Sequence, residues 1–120
     1  MATVSSISQR LEQVRQDIND ARGIANEVEL SFQQGLASSV SLLSLVNSAQ
    51  TRLRNARQQA NAVILLDIPA LTDAPASAAR AFEDQANQYT VEIDDLFNRL
   101  EGLKRSIGRA EAGAAGEEFA

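Results

Sequence analysis

Apolar residues recur alternately three and four positions apart along the first half of the chain. A period of about 3.5 residues keeps one face of a helix turned towards a partner helix and predicts left-handed supercoiling. We therefore expect one long helix over residues 4–66, roughly 90 Å long at about 1.5 Å per residue. Ser6 and Gln9 are spaced as a capping box at its start. We call this first predicted helix α1 and its first nine repeat positions the α1 stripe: Val4, Ile7, Leu11, Val14, Ile18, Ala21, Ala25, Val28 and Phe32.

The pattern stops at a turn over residues 67–76. Pro69 cannot continue a helix, and Pro75 is tolerated in the first turn of the next one. Thr72 or Asp73 is placed to cap that returning helix. A second heptad predicts a helix over residues 77–110, and the Gly, Ala and Glu content of residues 111–120 predicts a flexible tail. The second heptad consists of Ala79, Phe82, Ala86, Tyr89, Ile93, Leu96, Leu100, Leu103, Ile107 and Ala110.

Two helices joined by a short connection pack antiparallel. The predicted fold is therefore all-α: an elongated antiparallel helical hairpin with one long and one shorter helix and coiled-coil-like heptad packing. In this register Leu53 lies near Gln88, and the shorter helix ends opposite about residue 31. The α1 stripe is then left without a partner inside the chain, and an exposed apolar stripe normally marks an interface. We accordingly predict that its nine residues contact another chain.

Gly35 supports a competing interpretation. A glycine inside a helix costs about 1 kcal/mol and often ends the helix. A break there would give three helices, with the first folding back to cover its own stripe. The heptad phase continues past Gly35, however, and no Pro, Asp or second Gly accompanies it. The prediction is therefore the long helix, with a possible bend or break near residue 35.

The charge balance bears on possible partners. The net charge is −5 and the sequence pI is about 4.6, which argues against a free-standing nucleic-acid-binding protein. Arg52, Arg54 and Arg57 form the one candidate nucleic-acid patch. No aromatic residue lies among them to stack on a base, and the expected partners of these arginines are acidic residues of the returning helix, namely Glu83, Asp84 and Glu92.

The chain also offers little for catalysis. It has no His and no Cys, so the usual general base, the thiolate nucleophile and common metal ligands are missing. We expect no enzymatic activity, no cofactor and no bound metal. The uncharged stretch between Glu29 and Arg52 is too polar to span a membrane and predicts a helix buried between protein neighbours. No secretory signal peptide is evident, so the expected location is cytoplasmic, virion-associated or outside the cell through a route that reads another signal.

Together these features predict a non-enzymatic structural subunit that assembles with copies of itself or with other protein subunits, as in a virion, a phage tail, or a secretion or appendage-type assembly. The alternative is a small helical adaptor, chaperone or secreted hairpin that binds one protein partner. In outline, the predicted hairpin resembles needle and filament subunits of bacterial secretion systems and the secreted WXG-type hairpins. The resemblance covers the helix–turn–helix architecture alone. The turn lacks a Trp-x-Gly motif and the chain has no Trp, so neither group is assigned.

Overall fold

The computed structural model of the chain describes the backbone of residues 2–118 and the side chains of residues 2–111. Three helices, α1 (Val4–Gln34), α2 (Ser39–Ala62) and α3 (Ala76–Glu118), make up the fold, and a π-helical turn (Val63–Asp67) extends α2. No strand occurs among the described residues. The helices pack side by side in a rod measuring 67 × 19 × 19 Å. The predicted all-α class is confirmed.

The long helix predicted over residues 4–66, with a possible bend or break near residue 35, is not continuous: α1 ends at Gly35. This residue adopts the left-handed conformation, with φ 65° and ψ 29°. The Gly35 amide donates to the Phe32 carbonyl, and the Leu36 amide donates to the Ser31 carbonyl at 3.0 Å. These two bonds form a Schellman motif, which satisfies the last carbonyls of a helix and reverses the chain. Ser38 then caps α2 by accepting from the Ser41 amide at 3.2 Å.

The fold back at Gly35 gives the α1 stripe a partner within the chain. Seven of its nine residues are buried, at 0–2% exposure, and Val4 and Phe32 are half-buried. The inference that the stripe lacks an intrachain partner is therefore wrong, since α2 and α3 cover it. One core cluster runs from Val14 to Ile107, and a smaller one surrounds Ile7 and Val63 near the turn. The buried stripe residues are Ile7, Leu11, Val14, Ile18, Ala21, Ala25 and Val28.

The N-terminus of α1 lies against the connection between α2 and α3. Thr3 and Ser6 form the capping box at this end, one turn earlier than the predicted pair of Ser6 and Gln9. Asp73, predicted as a cap of the returning helix, lies at α1 instead: its carboxylate oxygens accept from the Val4 amide at 3.1 and 3.4 Å. A carboxylate is favourable here because the N-terminus of a helix carries a partial positive charge.

The register between α2 and α3 also differs from the prediction. Leu53 lies beside Phe97 and Asn98, about ten residues, or roughly 15 Å of helix, beyond the predicted Gln88. The reason is that the connection first continues to the level of the α1 N-terminus, so α3 begins further along the rod than the point where α2 ends. In addition, α3 continues to Glu118, so the predicted tail is helical over residues 111–118. Phe119 and Ala120 lie outside the described residues.

Candidate interaction surface

The predicted nucleic-acid patch is occupied by contacts within the bundle. Arg52 pairs with Asp20 of α1 at 3.1 Å, and Arg57 pairs with Asp94 of α3. The Arg54 guanidinium lies 5.3 Å from the centre of the Phe97 ring. Two of the three arginines therefore have carboxylate partners, and those partners are not the predicted Glu83, Asp84 and Glu92. Both ion pairs are exposed to solvent, so each contributes little to stability.

Arg54 and Arg57 border a shallow groove between α2 and α3. The buried residues Leu53 and Ile93 lie at its base, and Phe97 and Asn98 complete its wall. The groove has a volume of about 370 Å³ and is open to solvent along its length. Its charged atoms belong mostly to the Arg57–Asp94 pair. The groove thus offers apolar contact area beside the Arg54 guanidinium, which lies over the Phe97 ring and forms no ion pair with a described carboxylate.

The side of α2 that faces away from the other helices forms a continuous exposed stripe. Its members are spaced alternately four and three residues apart, which places them on one face of a helix. All of them are exposed. We call this surface the α2 outer face; it consists of Val40, Ser44, Asn47, Thr51, Arg54 and Gln58.

Large apolar side chains are exposed at both ends of the α2 outer face. Val40 is 74% exposed and Leu36, just before the helix, is 70% exposed. At the other end Leu65 and Leu66 are 70% and 66% exposed. Among the described side chains, five of the six exposed large apolar residues lie between residues 30 and 66, and the sixth, Val91, lies on α3. Scattered exposed apolar residues are common, but their concentration around one helix indicates a contact surface.

Charge sets the same helix apart. No residue between Glu29 and Arg52 is charged, and residues 39–66 contain three arginines and no acidic residue. Because this segment carries +3 of a total of −5, the rest of the chain carries −8. Depletion of charge is typical of the centre of protein interfaces. The sequence predicts that this uncharged stretch is buried. In the structure only one side of it is buried, at Leu42, Val46, Ala49 and Gln50. The other side, with Val40, Ser44 and Asn47, is exposed.

The remaining chemistry of the described residues is that of a protein surface. No three His, Cys, Asp or Glu side chains among them come together as a metal site. None of the helices, over the described residues, has a stretch long and apolar enough to cross a membrane. On α1, the hydrogen bond from the exposed Arg15 guanidinium lowers the pKa of the Glu12 carboxyl and raises the pKa of Arg15 itself. That pair links neighbouring turns of one helix and defines no site.

Comparisons with protein-family models, with curated proteins and with solved structures give no match for this chain.

Proposed function

We propose that this chain is a non-enzymatic assembly subunit that packs the α2 outer face, together with Leu36, Leu65 and Leu66, against another protein chain. The observation that carries the proposal is the combination of exposed apolar residues at both ends of α2 with the lack of any acidic residue along it. Burying an exposed leucine or valine releases about 1.5–3 kcal/mol per side chain. The proposed class of function is the one predicted from the sequence, but the proposed contact surface lies on α2 and not on α1.

The middle of the surface fits this role because its side chains are small and uncharged. Ser44, Asn47 and Thr51 are all exposed. Short side chains let a partner helix approach closely, and their hydroxyl and amide groups can exchange hydrogen bonds with water for hydrogen bonds with a partner at modest net cost. The apolar ends would supply most of the binding energy, in keeping with interfaces in which a few residues dominate.

The test is the mass of the purified protein as a function of concentration. We expect light scattering to give masses above the 12.9 kDa of one chain at high concentration. Val40→Glu and Leu65→Glu should each weaken this association, since each puts a carboxylate into the contact. Gln9→Glu adds the same charge at an exposed position of α1 and should leave the mass unchanged. A mass of one chain at every concentration, or an equal effect of all three variants, would argue against the proposal.

One observation favours the alternative of an adaptor with a different protein as its partner. A core forms within a single chain, since most repeat positions of the three helices are buried against each other among the described residues. Such a protein can remain a folded monomer until its partner is present. An adaptor would stay at the mass of one chain alone and form a complex of fixed stoichiometry, through the same α2 outer face, once that partner is added.

A further inference from the structure

The exposed side of α3 carries a second stripe with the opposite charge character. Asp84, Gln88, Val91 and Asp95 are spaced four, three and four residues apart and are all exposed. They therefore share one face of the helix, which we call the α3 outer face. Val91 is 60% exposed. Neither Asp84 nor Asp95 forms an ion pair with another described residue.

From this arrangement we infer that the partner of the α2 outer face is the α3 outer face of a second copy of the same chain. The inference rests on the proposed function and names its partner. Each face has an exposed valine, Val40 on one and Val91 on the other. Each also has charged residues that form no ion pair with another described side chain: Arg54 on α2, and Asp84 and Asp95 on α3.

Charge decides between this partner and the same face of a second copy. If two α2 outer faces met, Arg54 of each copy would face an uncharged or basic surface and would have no acidic partner. Two α3 outer faces would place aspartates against aspartates. Contact between α2 and α3 joins Arg54, the arginine of α2 that has no ion pair, to Asp84 and Asp95, which have none either among the described side chains, and complementary charge favours the correct partner and speeds encounter. Copies with a net charge of −5 otherwise repel each other.

The two faces lie on different helices of one rod, so each copy can offer one face to a predecessor and the other to a successor, which is a heterologous contact. Heterologous contacts generate a ring if the rotation between copies closes and an open filament if it does not. A dimer with two identical halves would require both contacts to form between the same two copies. The inference therefore specifies how copies are added: each new copy binds through one face and leaves its other face open for the next copy.

Blocking one face at a time separates these possibilities. Val40→Glu adds a carboxylate to the face that would meet the aspartates of α3, and Val91→Arg adds a guanidinium to the face that would meet Arg54. Each variant alone should lose association by about tenfold or more in dissociation constant, because each removes an apolar contact and adds repulsion. An equimolar mixture should recover the contact and form a complex of two chains, since each variant retains the face that the other lacks. Gln9→Glu and Gln9→Arg are the controls of matched charge, and circular dichroism verifies that every variant is folded.

The outcomes are distinct. Rescue in the mixture supports the inference, as does weaker association when salt shortens the screening length from about 10 Å at 0.1 M to about 3 Å at 1 M. If Val40→Glu abolishes association and Val91→Arg does not, the inference is overturned while the proposed function stands. If both variants fail alone and also when mixed, the two faces are not partners of each other and the inference is again overturned. A wild-type chain that remains monomeric overturns the inference and, with it, self-assembly as the proposed function.

Discussion

Gln50 on α2 donates a hydrogen bond from its side-chain amide to the Glu101 carboxylate on α3, at 2.7 Å. Gln50 is 2% exposed and is the one buried polar residue among the described side chains. A buried amide needs a partner, because losing its hydrogen bond leaves the cost of removing it from water uncompensated. This bond also fixes which turn of α3 lies beside α2.

Removing the acceptor should therefore destabilise the bundle. We expect Glu101→Ala to lower the free energy of unfolding by about 1–3 kcal/mol, since the Gln50 amide is left without a partner. Glu101→Gln retains an acceptor oxygen and should cost clearly less. Urea denaturation followed by circular dichroism measures both. Equal losses for the two variants would show that the hydrogen bond contributes little.

Gly35 and Gly23 form a matched pair for testing the end of α1. A methyl group added at either position meets no atom within 4 Å, but only Gly35 has a positive φ, of 65°. Gly35→Ala should destabilise the protein by about 1 kcal/mol or more, because side chains are strained in this conformation. Gly23→Ala lies within the helix and should stabilise it by about 0.5–1 kcal/mol. If Gly35→Ala were neutral or stabilising, the reversal at residue 35 would be in doubt.

The buried α1 stripe gives a third prediction. Ile18 is 1% exposed, whereas Leu36 is 70% exposed. Ile18→Ala should lower the free energy of unfolding by about 2–5 kcal/mol, and Leu36→Ala should change it by less than about 0.5 kcal/mol. Both are measured on the dilute monomer by denaturant unfolding. If Ile18→Ala left the stability nearly unchanged but abolished association, the α1 stripe would be an interface and not part of the core.

The contact between Asp73 and the start of α1 gives a fourth. Asp73→Ala removes the carboxylate that accepts from the Val4 amide and should cost about 0.5–2 kcal/mol, the usual range for a lost helix cap. Asp73→Asn keeps an acceptor oxygen without the charge, so it should retain much of the stability. Thermal unfolding of the three proteins tests the order wild type, Asn, Ala.

The heptads predicted which residues are buried but not how the chain connects them. Leu42, Val46 and Leu53 continue the phase of Val28 and are all buried. The same phase is expected of two separate helices whose inner faces meet, because each needs an apolar stripe of its own. Continuity of phase across Gly35 was thus weak evidence for a continuous helix. The signal for the break was local: Gly35 followed by Ser38 and Ser41 combines a helix stop with a helix start.

The register and the outer face could not be read from the sequence for a different reason. Where α3 begins relative to α2 depends on the path of residues 68–75, which the Asp73–Val4 contact fixes between segments 69 positions apart. Likewise, which side of α2 is exposed depends on how α1 and α3 pack against its other sides. Composition showed that residues 30–51 lack charge; the fold decided which of them reach the surface.

The connections between consecutive helices are short, four residues between α1 and α2 and eight between the π-helical turn and α3. Most of the packing therefore joins helices that are neighbours along the chain, and domains with such local contacts complete folding within microseconds to milliseconds. The native rod can consequently form by a first-order process that requires no encounter between copies. Dilution would slow any joining of copies but would not slow the appearance of molecules ready to join.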